Sequence, residues 1–197
     1  MKIKIFKKEK GFTILELIVS VGIFALMTAL LVAKYGNFNN GILLTNLAYD
    51  VALTIRNAQS YGLNVKSASR DSDDFNRPFG VHFERGDTKF VFFADELDDG
   101  VYNGLYDEGE EISISTIKNG GYISDLCTFS GKGNSDDCTS SSNNVVDITF
   151  KRPDPNAIIK VPGKSLPNSL AKITVKSKTG DTRDVIVRSN GQIAVED

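Results

Sequence analysis

Lys10-Gly11-Phe12-Thr13-Ile14-Leu15-Glu16-Leu17 opens into LIVSVGIFALMTALLVA, residues 17–33, a run with no charged side chain. From Phe12 to Ala33 there are 22 residues and one ionisable group, Glu16. A helix of that length spans about 33 Å at 1.5 Å per residue, which matches the roughly 30 Å hydrocarbon core of a bilayer. Five lysines precede it (Lys2, Lys4, Lys7, Lys8, Lys10) against one acid, Glu9. Such cations stay on the cytoplasmic side, which puts the long C-terminal part outside the cytoplasm. An ordinary secretory signal and a simple single-pass anchor are the alternatives. Leu31-Val32-Ala33 offers a small residue at a cleavage point, but the apolar run exceeds the roughly 7–15 residues of a secretory core.

Glu16 narrows the choice. A carboxylate in an apolar helix costs about 2.5–3.5 kcal/mol at mid-membrane and calls for a partner. The helix supplies no lysine or arginine within residues 12–33. Were the chain cut after Gly11, the new α-amino group of Phe12 would lie four residues from Glu16, and a neighbouring chain would present the same amine. Glu16 is then an assembly contact.

The order of a basic leader, Gly11, Phe12, Glu16 and an apolar helix resembles the class III signal sequence of type IV pilins and type II secretion pseudopilins. The resemblance implies cleavage between Gly11 and Phe12 by a prepilin peptidase, N-methylation of Phe12, and pairing of Glu16 with the Phe12 amine of an adjacent subunit. It implies a chain first held in the inner membrane by one span, with its C-terminal domain extracytoplasmic, then assembled into a pilus or pseudopilus. The implied fold is α+β, a long N-terminal helix on an antiparallel sheet. The expected organisation is a leader over 1–11, a membrane or filament-core helix over 12–33, its amphipathic continuation over 34–62, and a β-sheet domain over 63–197.

The helical pattern runs past the apolar segment. After a softer patch at Tyr35-Gly36-Asn37, read as a hinge, apolar residues recur at Leu44, Leu47, Ala48, Val51, Ile55 and Ala58, one stripe of a helix packed on a sheet. Gly62 is the expected stop. Residues 63–78 read as a polar loop. Strands are expected at 79–84, 89–94, 111–117, 122–129, 145–151, 171–178, 183–188 and 192–195. Arg85-Gly86-Asp87-Thr88 joins the first two as a hairpin turn rather than an adhesion motif. Asn190-Gly191 joins the last two. The segments 151–155 and 161–163 read as proline-broken connections. RPFGVHF (77–83), FVFFADE (90–96) and the acidic loop after them are similar to minor pseudopilins and pilins of the GspH/FimT type.

That loop, Asp99 to Glu110, fits the calcium template D-x-[DN]-x-[DN]-G-x5-E at four of its five specified positions, missing at Val101. Asp99, Asn103, the Leu105 carbonyl, Asp107 and Glu110 would be the ligands for Ca2+, with Asp95, Asp98 or water filling the gap. A solvated acidic turn uses the same residue types. Cys127 and Cys138, the only cysteines, fit a disulfide in an oxidising compartment, with two free thiols as the alternative. His82 stands in a strand without a nucleophile signature, and no phosphate-binding glycine loop occurs, so the chain reads as a non-enzyme.

The precursor carries 23 cations and 25 anions; without the leader the side chains number 23 − 5 = 18 against 25 − 1 = 24, or −6. That balance argues against nucleic acid as a partner. Lys172, Lys176, Lys178, Arg183 and Arg188 would have to line one face for the alternative function, a DNA-binding minor pilin of a competence filament. The expected partners are other pilin or pseudopilin subunits and the prepilin peptidase. The expected role is a minor structural subunit of a type IV pilus or type II secretion pseudopilus.

Overall fold

The computed structural model describes residues 11–64, 77–98, 101–129, 143–164 and 167–196. One α-helix, α1 (Ile14–Leu63), is followed by eleven strands among these residues: β1 (Phe79–Glu84), β2 (Lys89–Ala94), β3 (Leu97–Asp98), β4 (Val101–Tyr102), β5 (Glu111–Thr116), β6 (Tyr122–Phe129), β7 (Val145–Phe150), β8 (Ala157–Lys160), β9 (Leu170–Lys176), β10 (Thr182–Arg188) and β11 (Ile193–Glu196). The chain divides into two units, residues 1–39 and 40–197.

In the first unit every described side chain from Phe12 to Val32 is exposed. Ile14–Val32 has a mean hydropathy of 2.4 and none of its surface is buried, so this stretch is long and apolar enough to cross a membrane. Its two hydroxyls do not offer polar groups to an apolar surrounding. Ser20 Oγ donates to the Glu16 carbonyl at 2.7 Å and Thr28 Oγ1 to the Phe24 carbonyl at 2.8 Å, the back-bonding that lets such residues sit in apolar helices.

In the second unit, Leu44, Ala48, Val51, Ala52, Ile55 and Ala58 of α1 are buried and Leu47 packs beside them. The expected stripe is therefore the buried one, with Ala52 added. It lies in one core with two antiparallel sheets. The five-stranded sheet runs β5-β2-β1-β7-β8 and the four-stranded sheet β11-β10-β9-β6. Phe79, Val81, Phe83, Phe92, Ile148 and Phe150 of the first sheet meet Leu126, Ile173, Val175, Val185 and Val187 of the second in that core. Tyr61 sets its ring edge-on to Phe79 and Phe92, at 5.6 and 5.4 Å between centroids, a favourable aromatic geometry.

The helix ends where its backbone touches a strand. A Cβ on Gly62 would stand 2.3 Å from the Phe150 carbonyl oxygen, and the Gly62 carbonyl accepts the Arg152 N–H at 3.1 Å. Only glycine lets the two backbones come so close. The Asn190-Gly191 turn is likewise pinned: Gln59 Nε2 donates to the Pro155 and Gly191 carbonyls, both at 3.1 Å.

The expected strands are all present, their bounds differing by up to two residues at an end. Two features differ in kind. The β domain holds two main sheets, not one, and β8 lies between the two proline-broken connections, 151–155 and 161–163, where no strand is expected. Four residues between Pro155 and Pro162 are too short to show a strand period, but Ile158 and Ile159 extend the sheet beside β7, from Phe150↔Ala157 to Asp147↔Lys160. The Arg85-Gly86-Asp87 turn also spans sheets. Gly86 N–H donates to the Ile123 carbonyl at 2.7 Å and Ile123 N–H to the Asp87 carbonyl at 2.9 Å, a structural use of the triplet.

Candidate assembly head and acidic strap

The assembly head begins where α1 begins. Thr13 caps the helix: its Oγ1 accepts the Glu16 N–H at 3.2 Å and its carbonyl accepts the Leu17 N–H at 3.2 Å. Thr13-x-x-Glu16 is the sequence form of a capping box, a signal legible in the sequence beside the assembly role expected of Glu16. Gly11, Phe12 and Glu16 are all exposed, Phe12 at 73%. The capped turn places Glu16 in the first turn of the helix.

The acidic segment is a strap over the outer face of the five-stranded sheet. Tyr106 lays its ring 4.7 Å from His82 and 5.5 Å from Phe93, centroid to centroid. Within the strap the carboxylates are taken up by backbone N–H groups. Asp95 Oδ2 accepts from Gly104 at 2.8 Å, Glu110 Oε2 from Asp107 at 2.9 Å, and Glu110 Oε1 from Glu96. Asn103 Nδ2 donates to Asp107 Oδ2 at 2.7 Å, and the Lys160 ammonium donates to the Asn103 carbonyl. Gly104 sits at φ +68°, the left-handed conformation that suits glycine.

Of the five expected calcium ligands, Asp99 lies outside the described residues, and Asn103, Leu105, Asp107 and Glu110 fall along the strap. Among the described residues no group of three or more His, Cys, Asp or Glu side chains is placed to hold a metal ion. Both Glu110 oxygens accept backbone N–H groups, from Glu96 and Asp107.

Beneath the strap His82 Nδ1 meets Asp147 Oδ1 at 2.7 Å, with Asp147 buried. His82 is half-buried, as expected of it. Asp147 was not foreseen, because an acid in VVDITF reads only as a break in an apolar strand. Burial pushes the Asp147 carboxyl up, against the lowering effect of His82. Burial likewise raises the Glu110 carboxyl, while the Glu96 and Asp107 amides lower it.

Asp95 is wholly buried, and among the described residues its Oδ1 has no hydrogen-bond partner. Burial pushes its carboxyl from 3.8 to about 6; the Gly104 amide and Lys160 pull it down, and Glu110 pushes it up. Because the folded value is the higher one, this group's contribution to stability is full below about 3.8 and is lost as pH rises through about 6. Asp95→Asn should therefore raise the melting temperature at pH 7 to 8, with the gain fading toward pH 4. Thermal unfolding across that range checks it; an equal loss at every pH would refute the assignment.

Cys127 is buried on β6 and is not a free thiol. Cys138 lies outside the described residues. Of the five C-terminal cations, Lys172, Lys176 and Arg188 fall on one face of the β9/β10 pair by register, Arg183 falls on the other, and Lys178 lies beyond β9. Lys172 and Lys176 alternate with core residues on β9, Lys172 lying 3.3 Å from Asp184, while Arg183 stands opposite buried Val175.

An apolar helix with a capped, acidic head and an antiparallel β unit define an α+β chain of pilin-like architecture. Residues 6–32 match the family described as the prokaryotic N-terminal methylation motif, so the chain carries the prepilin motif of type IV pilins and pseudopilins. Neither a curated protein nor a solved structure matches the chain at a significant level. The motif and the single apolar N-terminal helix fit membrane anchoring, and the motif's family is structural and non-enzymatic.

Proposed function

We propose that the chain is a minor structural subunit of a type IV pilus or type II secretion pseudopilus. Its leader is cut between Gly11 and Phe12, Phe12 is N-methylated, and Glu16 pairs with the Phe12 amine of a neighbour as the helix enters the filament. The observation that carries this reading is the methylation motif over residues 6–32, with one carboxylate in an otherwise uncharged helix head. The C-terminal domain then lies outside the cytoplasm, as the lysine-rich leader directs. Sheared filaments probed for this chain test it: a trace band beside a bulk subunit is expected, and a chain absent from filaments but abundant in membranes would overturn it.

In this reading the acidic strap is an intramolecular clamp, since its carboxylates already accept backbone N–H groups and Lys160 supplies the nearby positive charge. Millimolar calcium should leave the melting temperature unchanged; a rise reversed by chelator would restore the cation site at Asp99, Asn103, Leu105, Asp107 and Glu110. Cys127 and Cys138 form one disulfide in the oxidising compartment, worth roughly 3 kcal/mol for a loop of this size. A gel mobility indifferent to reductant would remove it. DNA capture has weaker support, because the mature chain is acidic and Lys172, on the face it shares with Lys176 and Arg188, already lies 3.3 Å from Asp184.

A further inference from the structure

We propose that Asn119 is a self-modification site: the Gly120 backbone nitrogen attacks its side-chain amide, and residue 119 becomes aspartate or isoaspartate. This chemistry runs fastest where glycine follows asparagine, because no side chain obstructs the attacking nitrogen. The sequence holds four such pairs, Asn40-Gly41, Asn103-Gly104, Asn119-Gly120 and Asn190-Gly191. The fold ties down three of them and leaves one open.

Asn40-Gly41 lies inside α1, where the Gly41 N–H belongs to the helical ladder. In the strap the Gly104 N–H donates to the Asp95 carboxylate at 2.8 Å. Asn103 is tied through both side-chain atoms, accepting the Leu105 N–H at 2.6 Å and donating to Asp107 at 2.7 Å. At the last hairpin the Gly191 N–H donates to the Arg188 carbonyl at 2.9 Å, and Asn190 Oδ1 accepts the Gln192 N–H at 3.0 Å. Each of these pairs must break a hydrogen bond before it can react.

Asn119 and Gly120 are both exposed. Among the described residues neither the Asn119 side chain nor the Gly120 N–H has a hydrogen-bond partner. The turn around them is closed by one long bond, from the Gly121 N–H to the Lys118 carbonyl at 3.3 Å. Asn119 stands at φ +61°, the one residue other than glycine with a positive φ among those described, a conformation that a residue with a Cβ adopts at a cost. The turn is thus held lightly, and its opening lets Asn119 Cγ swing to the Gly120 nitrogen. Lys178 lays its stem along Gly120, where an added Cβ would stand 3.4 Å from its Cδ. Lys118 and Lys178 line, with Asn119, a cleft of about 500 Å³ beside α1, and among the described residues neither has an ion-pair partner. Cations beside the turn favour the negative charge that develops during attack.

The Gly120 nitrogen gives its proton to water and bonds to Asn119 Cγ, the bond from Cγ to the amide nitrogen breaks, and ammonia leaves a five-membered imide. Water then opens either imide carbonyl, giving aspartate or isoaspartate, with nothing oxidised or reduced. The new carboxylate joins the two lysines and lowers the positive charge of the cleft rim.

The full chain, kept folded in mild detergent at mildly alkaline pH and then read by peptide mass spectrometry, tests this. Asn119 should convert at least about tenfold faster than Asn103 or Asn190, the factor expected when an engaged amide must first be freed. Labelling by an isoaspartate-specific methyltransferase should rise with time, and Asn119→Gln should abolish the rise. In urea Asn103, Asn119 and Asn190 should convert at similar rates, because the selection comes from the fold. Equal conversion of Asn103 or Asn190 in the folded chain, an Asn119 that stays intact while the unfolded chain reacts, or the same tenfold preference in urea overturns the proposal.

Discussion

Glu16→Ala is expected to leave leader removal intact and to lower incorporation into filaments by about a hundredfold. An ammonium left without its carboxylate in apolar surroundings costs ~3–5 kcal/mol, and the loss falls on the assembled state alone. Glu16→Gln should behave like Glu16→Ala, because the pairing proposed is one of charge. Neither substitution disturbs the cap, since Thr13 Oγ1 holds the backbone N–H of residue 16 and not its side chain. The ratio of the chain in sheared filaments to that in membranes reads the effect directly. Normal incorporation of Glu16→Ala would refute the amine pairing.

Phe150→Ala is expected to cost the β domain ~3–5 kcal/mol, against a total of about 5–15 kcal/mol for a domain. Phe150 is fully buried on β7, opposite Phe79 on one side and Ala157 on the other. Its carbonyl also marks the place where Gly62 meets the sheet, so the hole would open beside the helix contact. With a urea dependence of ~2 kcal/mol per molar, the unfolding midpoint should fall by roughly 2 M. A midpoint within a few tenths molar of wild type would show that the core is not built around this residue. Leader removal should proceed in the variant, because the motif over residues 6–32 is separate from the domain core.

The parts of this fold visible in the sequence were those governed by local period and by special residues. The stripe from Leu44 to Ala58 repeats at helical spacing and is buried as expected, and Gly62 stops α1 within one residue of its observed end. The hairpin over Arg85-Gly86-Asp87 and the turn at Asn190-Gly191 carry the glycines their positive φ values require. What was not visible depended on distant partners. β8 is four residues with no period of its own and is a strand only because β7 lies beside it. The division into two sheets is set by which strands pair, not by what each contains. Asp147 has meaning only once His82 stands across from it, 65 residues away in the chain. The acidic strap shows why a liganding pattern and a clamp look alike in sequence: both need Asp, Asn, Gly and Glu in a tight turn. They differ in whether the oxygens converge on a cation or on backbone N–H groups, and Glu110 and Asp95 accept from the backbone.

The most direct measurement is the N-terminal peptide of the chain recovered from membranes, read by mass spectrometry. The account predicts a chain that starts at Phe12 and carries one methyl group on its α-amine. A chain starting at Met1, or one cut after Ala33 as a secretory signal would be, contradicts it.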